Sequence, residues 1–476
     1  MLPFNYLFFI VYYINMKNSF NGSGFIPQAI ILVFLVLGGT NLSAQGNDAE
    51  AVLTEIAQKL SQGDTTAALE LFGRLPPAEA EKAEVRILRA NVLNSAGRPA
   101  EARQIANVIV NADRNNTDAL MVLADAAALE NRDRDRRNFL ERVIAADPRH
   151  ARALIDLGNL AVSARNLRVA AGYFDRALAA EPNSGEALVS RAVVHRYNRE
   201  NRNAEQLLAK AMELYPQWAG PYHERARLYR GTNNLNSSLR DLNKALELEP
   251  QNYWVLVDRG MLLMELDQKQ EALADFTRAI EIESGNFIAY VYSAGIKDEL
   301  GDFAGAEADY TRLSRLRPEY YFAFEGLGVL KMRNKQWAEA RDAFLAAYRQ
   351  APREFHYALL AAVCWMRAGR QTDPRQFLAQ VLRTVPRDSI EFTLLRMYHD
   401  LNHDTDSAAK IDGEQNIYTK ARMAFYLASY YDIRGNQTLA NRYYLMVQEL
   451  DAVGTIEWRL NEWVLAEKGL GIRAEQ

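Results

Sequence analysis

The sequence predicts an all-α chain built as a solenoid of stacked helix hairpins, and two observations predict it. The first is a comb of prolines. Pro148, Pro182, Pro216 and Pro250 stand at one constant interval, Pro318, Pro352 and Pro386 continue it, and Ser284 fills the one remaining tooth. A proline just past a helix ends it, because its ring removes an N–H and biases the preceding residue away from the α region. A stop at a fixed period marks one supersecondary unit copied many times. The second observation is that each unit keeps register with its stop. Twenty-four residues before it stands a small residue: Ala124, Gly158, Ala192, Ala226, Gly260, Ala294, Gly328 or Ala362. Twelve before it comes another, such as Ala170, Ala204 or Ala272, and eight before it a bulky one: Leu140, Phe174, Leu208, Leu242, Phe276, Tyr310, Phe344 or Leu378. Small side chains let two helices approach, and the large one fills the gap between them.

This small, small, bulky, proline pattern resembles the tetratricopeptide repeat, slot for slot, and shares its period of about 34 residues. The resemblance implies a right-handed α-solenoid of about eleven to twelve such hairpins with a C-terminal capping helix, and a protein-binding role without catalysis.

Composition agrees. Of 476 residues, 49% are hydrophobic, ample for a buried core. The formal charge is −4, and because the first 44 residues carry only Lys17, the remainder carries −5. A mildly acidic chain lacks the basic footprint of a nucleic-acid binder. The single Cys364 permits no intramolecular disulfide and reads as a buried, inert thiol.

In chain order, residues 1–44 stand apart from the repeats. Lys17, the apolar run Ala29–Leu37, Gly38-Gly39 and Leu42-Ser43-Ala44 read as a secretory signal peptide cleaved after Ala44. The alternative is an uncleaved membrane anchor, although the run is shorter than the ~20 residues a bilayer needs. Export, with a periplasmic destination, is the expectation. The solenoid is expected over 45–388, in units at about 49–82, 83–116, 117–150 and onward to 355–388. Asn131–Arg137 reads as a charged, solvated turn, and Asp373-Pro374 as a helix start. A degenerate unit follows over 389–420. A cleaner one at 421–470 carries Ala428, Gly435, Ala440 and Tyr444 and closes with an amphipathic helix bearing Ile456, Leu460, Trp463 and Val464.

The run Phe392–Tyr398, the short helix around Ser407–Ile411, then Met423–Tyr431 with Arg434-Gly435, and Glu457, Arg459 and Leu460 look like the tail of NlpI-type periplasmic repeat lipoproteins. That resemblance covers under a third of the chain. It implies a homodimeric adaptor that brings a protease to cell-wall hydrolases. The lipid-anchor cysteine of that family is missing here.

No constellation for chemistry emerges: there is no phosphate-binding glycine loop, no H-E-x-x-H and no cysteine pair. His399 and His403, four apart beside Asp400 and Asp404, are the best metal candidate, and they read as an ordinary helix end. Arg191, Arg225 and Arg259 recur on first helices and Asp241, Asp275 and Asp309 on second helices, which suggests ion pairs within or between units. No cofactor, metal, small-molecule substrate or nucleic acid is expected.

Function then falls to the concave face, which in tetratricopeptide folds is lined by positions 2, 5, 9 and 12 of each first helix. Early units place Asp118, Met121, Asp125, Arg152, Ile155, Asn159, His223, Arg227 and Arg230 there. Later units place Trp254, Val257, Met261, Met264, Ile288, Val291, Phe322, Val329, Met332, His356, Leu359, Val363 and Met366. Apolar groups with methionines among them suit an amphipathic helix or a peptide with bulky anchors. The alternative is that they pack between neighbouring helices or against a second copy, making a structural homo-oligomer. The expected function is an exported scaffold or adaptor that binds protein segments to assemble or regulate a cell-envelope complex.

Overall fold

The computed structural model describes residues 46–370 and 374–470, so the leader at 1–44 and Asp373 lie outside the described residues. Those residues form 26 α-helices and no strand. From Ala83 to Arg367 first helices of 13 residues alternate with second helices of 14, as in Ala83–Ser95 and Pro99–Ala112. The chain divides into two compact units between Leu262 and Leu263. None of the described helices is long and apolar enough to cross a membrane.

The turn within each hairpin is as periodic as the proline comb. Gly63, Gly97, Asn131, Arg165, Arg199, Asn233, Asp267, Gly301, Lys335 and Gly369 all have positive φ, and they recur at the interval of the prolines. Each is a left-handed residue just beyond the first helix. The next N–H turns back onto the helix, as Arg132 N does to Ala127 O (2.8 Å) and Asn166 N to Ala161 O (2.8 Å). Glycine takes this conformation freely, and for arginine or lysine it is strained. The expected charged turn at 131–137 therefore shrinks to Asn131-Arg132. Asp133 already begins a helix, and Arg136 reaches Asp156 at 2.8 Å.

The small and bulky registers meet in space. A Cβ on Gly158 would stand 2.3 Å from the Phe174 ring, and one on Gly328 would stand 2.5 Å from Phe344. Phe174, Phe276 and Phe344 have glycine at the matching small position, whereas Leu140, Leu208, Leu242 and Leu378 have alanine there. Tyr310 departs from this rule. Its unit offers Ala294, and its ring lies instead where a Cβ of Gly326 would come within 2.6 Å.

Adjacent hairpins are tied by a basic side chain that reaches the carbonyl at the preceding tooth of the comb. Arg176 donates to Pro148 O (3.2 Å), Lys210 to Pro182 O (2.8 Å) and Arg312 to Ser284 O (3.2 Å). Ser284 thus takes the same bond as its proline counterparts. The recurring arginines and aspartates pair less uniformly. Arg225 binds Asp241 within its own unit, whereas Arg191 reaches back to Asp175 and Arg259 to Asn243 of the preceding one. Asp309 accepts from Ser293 and Lys297.

The ends are irregular. The first hairpin has Gly46–Ser61 and a second helix of only seven residues, Thr65–Leu71, which passes into a 3₁₀ turn before Pro76-Pro77. Ala68 and Phe72 are nonetheless buried in the expected slots. The helix expected from Asp373 begins at Arg375, one residue past Pro374. In the degenerate unit, Ile390–Asp400 ends at a left-handed Leu401, and Asp404–Gly413 starts after a left-handed His403. The helix after it, Ile417–Ile433, begins before the expected 421 and runs to 17 residues. Here the second unit's core holds four tyrosines, Tyr357, Tyr398, Tyr426 and Tyr444, all fully buried; the Tyr398 hydroxyl donates to Tyr426 O at 2.7 Å.

Three substitutions test this packing and its turns. Gly158→Ala is expected to cost about 1–3 kcal/mol in urea unfolding, and Phe174→Leu in the same chain should recover most of it. Arg199→Gly, which relieves a left-handed arginine, should stabilise by about 1 kcal/mol, read as a higher melting temperature.

Candidate functional site

The thirteen apolar or aromatic residues expected in the groove do not share one environment. Trp254, Val257, Met261, Ile288, Val329, Met332, Leu359, Val363 and Met366 are buried, and only Met264, Val291, Phe322 and His356 keep partial exposure. For the nine, the side chain serves packing in the folded chain. A position number says which way a residue leans, and the neighbours decide whether anything covers it.

In the second unit the cover is the chain's own closing helix, Ile456–Lys468. Arg459 makes a two-pronged ion pair with Asp298, position 12 of its first helix, with Nη1 at 2.6 Å from Oδ2. Trp463 meets Phe303 edge-on at 6.0 Å, and Lys335 pairs with Glu467. Leu460 and Val464 line a common cavity with Met332 and Val363. At the start of this helix Glu457 is 1% exposed, and Tyr426 donates to it at 2.7 Å. The Arg422 guanidinium stands 3.5 Å away. Glu325, at position 5, accepts from the Tyr357 hydroxyl, yet burial raises its carboxyl to about 7. Burial likewise pushes the His356 imidazole down. An amphipathic helix was expected to close the last core face. It also lies against the concave positions of earlier hairpins, which periodicity within one repeat cannot foretell.

The first unit presents charge instead. Arg152 forks onto Asp125 of the preceding hairpin at 2.8 and 3.0 Å, beside the Arg136–Asp156 pair. Further along, Arg196 reaches Glu224 (3.3 Å), Arg227 bridges Glu224 (2.7 Å) and Asp258 (2.6 Å), and His223 Nε2 lies 2.6 Å from Asp258. Each pair but Arg227–Glu224 joins neighbouring hairpins. Burial opposes the charge on Asp258 and Glu224, but the arginines beside them outweigh it and hold both carboxyls below the usual range. Farther back desolvation wins: Asp125 is raised to about 6 and Glu186 to about 7, with Asp156 adding repulsion to both.

His399 and His403 do not share a helix face, since the break at Leu401 puts His403 beyond the helix that carries His399. Each imidazole faces carboxylates, His399 at 2.6 Å from Asp400 and His403 at 3.3 Å from Asp400 and Asp406. Among the described residues no three metal-binding side chains converge. Cys364 is buried, and burial pushes its thiol far above the usual range.

Family models described as tetratricopeptide repeat match residues 59–126, 155–217, 219–252, 255–286, 297–355 and 326–389, together more than half of the chain. With the hairpin period and packing above, the chain belongs to the tetratricopeptide repeat proteins. Similar solved structures include a tetratricopeptide repeat protein from Parabacteroides merdae, 18% identical with a TM-score of 0.43, covering 52% of this chain and 98% of that one. Another is PilW, a type IV pilus biogenesis factor, 16% identical with a TM-score of 0.38, covering 42% and 92%. A third is YrrB, described as having an unusual peptide-binding site, 18% identical with a TM-score of 0.30, covering 39% and 96%. These likenesses concern the fold. Among curated proteins none matches this chain.

The raised carboxyls predict a pH dependence. Between about pH 4 and 7 the folded chain holds protons on Asp125, Glu186 and Glu325 that the unfolded chain has released. Their contribution is full below that window and is lost as pH rises through about 6 to 7. The depressed Asp258 and Glu224 act the other way, in acid, and the depressed His356 acts the other way up to its ordinary value of 6.5, so above pH 5 three raised carboxyls oppose one imidazole. The urea midpoint should fall from pH 5 to pH 8, and Glu186→Gln should flatten that fall. A midpoint that climbs with pH would contradict it.

Proposed function

We propose that this chain is a non-catalytic scaffold that binds a polar, charged protein segment along the concave positions of its first unit. It works after export, in the assembly or regulation of a cell-envelope complex. The observation that carries the reading is the unequal state of the two faces. In the second unit a helix of the same chain lies against the corresponding positions, with Arg459 on Asp298 and with Leu460 and Val464 beside Met332 and Val363. In the first, half-buried arginines and carboxylates run from hairpin to hairpin, with Arg152, Arg196 and Arg227 each 17–28% exposed at the side chain. Repeated charge on rigid helices gives register and specificity to a bound segment more than raw affinity. Export rests on the leader-like residues 1–44 and the envelope role on the resemblance of the tail.

A second reading, the structural homo-oligomer, draws on a specific surface. The extra first turn of Ile417–Ile433 carries Ile417 and Tyr418 at 46% and 52% exposure. Two adjacent apolar side chains left exposed on this turn suit contact with a second copy. Mass that rises with concentration, and is lost in Tyr418→Glu, would favour it.

The test of the first reading is affinity capture from envelope extract with chain 45–476 and two variants whose helicity is checked first. Glu186→Lys with Arg230→Glu alters the charged face; Val291→Glu with Phe322→Glu alters the apolar positions still exposed. Loss of a captured protein only in the charged-face variant is the expected result. Loss only in the other would return binding to the apolar groove.

A further inference from the structure

The second unit holds a cavity that the repeat register does not account for. It measures about 380 Å³ and is lined from Tyr321–Arg333, Phe355–Arg367, Ile417–Ile433 and the closing helix. That size is within the range of small-ligand pockets. Its body is apolar: Phe425, Val363 and Leu460, with the indoles of Trp337 and Trp463. Its charge is unbalanced. Four cations line it, Arg333, Lys335, Arg367 and Lys468, against two carboxylates, Asp432 and Glu467.

The pairings show where the excess lies. Lys335 and Glu467 neutralise one another. Arg367 and Lys468 converge on one carboxylate, Asp432, with Lys468 Nζ at 2.7 Å from Oδ1. Arg333 faces rings: its guanidinium is 3.8 Å from the Phe303 centroid and 5.7 Å from that of Trp463. Burial works against the charge of Asp432, but the Lys468 hydrogen bond and the Arg367 charge overcome it and hold the carboxyl below its usual range. Asp432 therefore cancels one cation and no more. An aromatic-walled cavity with two unmatched positive charges asks for an anion on an apolar body, since a bare inorganic anion would leave the rings facing water.

We propose that this cavity binds a carboxylate attached to an aromatic or branched aliphatic group, with Arg333, Arg367 and Lys468 receiving the carboxylate and the two indoles and Phe425 receiving the body. Such chemistry comes either as a free small acid or as the last residue of a protein chain with its carboxyl group free. Arg367 and Lys468 belong to different helices, so an anion shared between them also holds the closing helix in its seat.

The test is calorimetric titration of the full chain with 3-phenylpropionate and with its neutral counterpart, 3-phenylpropanamide. A second pair of probes is a glycine-rich pentapeptide ending in phenylalanine, with its terminus free or amidated. The acids are expected to bind, and the amides to bind about tenfold more weakly or worse. Arg367→Gln and Arg333→Gln should each weaken the acids about tenfold. Arg333 is exposed and outside the core, so its variant still decides the matter if Arg367→Gln fails to fold. The acid should also slow amide hydrogen exchange across 456–468. A free-terminus peptide that outbinds phenylpropionate would identify the source as a chain end, and the reverse a small acid; both retain the site. Equal binding of acid and amide, no acid binding at about 10 mM, or exchange in the closing helix unchanged by bound acid would each overturn the proposal.

Discussion

Two helices can share a hairpin only if something small stands between them, and the chain's architecture depends on that close approach. Where Phe174 and Phe344 fill the bulky slot, even a methyl group opposite is excluded, as the 2.3 Å and 2.5 Å approaches at Gly158 and Gly328 show. Where it is leucine, alanine restores the volume. Interiors packed this closely transmit strain, so small and bulky positions have to be chosen together within each copy. The same constraint sets the hairpin turn. With helices this near, a single left-handed residue reverses the chain, and it recurs at each inter-helix turn from Gly63 to Gly369 even where the residue is arginine or lysine. The strain is tolerated because the paired helices fix both ends of the turn.

Stacking the copies is a separate task with separate residues. The bonds from Arg176, Lys210 and Arg312 satisfy a carbonyl in the turn just past the preceding helix. Cross-hairpin ion pairs on the first unit's concave side add direction. They are half-buried, so each stands between desolvation and attraction: Asp258 keeps its charge, while Asp125 and Glu186 are pushed toward losing theirs. A face assembled this way discriminates among charge patterns, which is the property a scaffold needs.

The second unit departs from regular stacking because one hairpin is short. Ile390–Asp400 and Asp404–Gly413 are 11 and 10 residues long, and the left-handed Leu401 and His403 break the chain between them. Beyond that point the closing helix meets side chains more than a hundred residues earlier, Asp298, Phe303 and Lys335. Part of its seat is the apolar stripe that suggested a groove for a partner, at Met332 and Val363. One amphipathic helix therefore has two roles: it shields the end of the stack and meets positions that a groove would present. The charged cavity beside it is a product of that closure.

The sequence by itself determined the fold, the period and the identity of the packing residues, because proline stops and steric volume act within one repeat and are legible at fixed spacing. It also determined that positions 2, 5, 9 and 12 of the first helices pass from polar to apolar along the chain. It did not reveal the left-handed turns at Arg165, Arg199 and Lys335, since their conformation is imposed by the helices on either side. Nor did it reveal that Arg176 and its counterparts bind carbonyls, or which of Arg191 and Arg225 pairs within its own hairpin. Only the tertiary structure decided that Val329, Met332 and Leu359 are buried and that Arg459 finds Asp298 across 161 residues. Such contacts depend on the summed rotation of several hairpins, a quantity that no single repeat encodes.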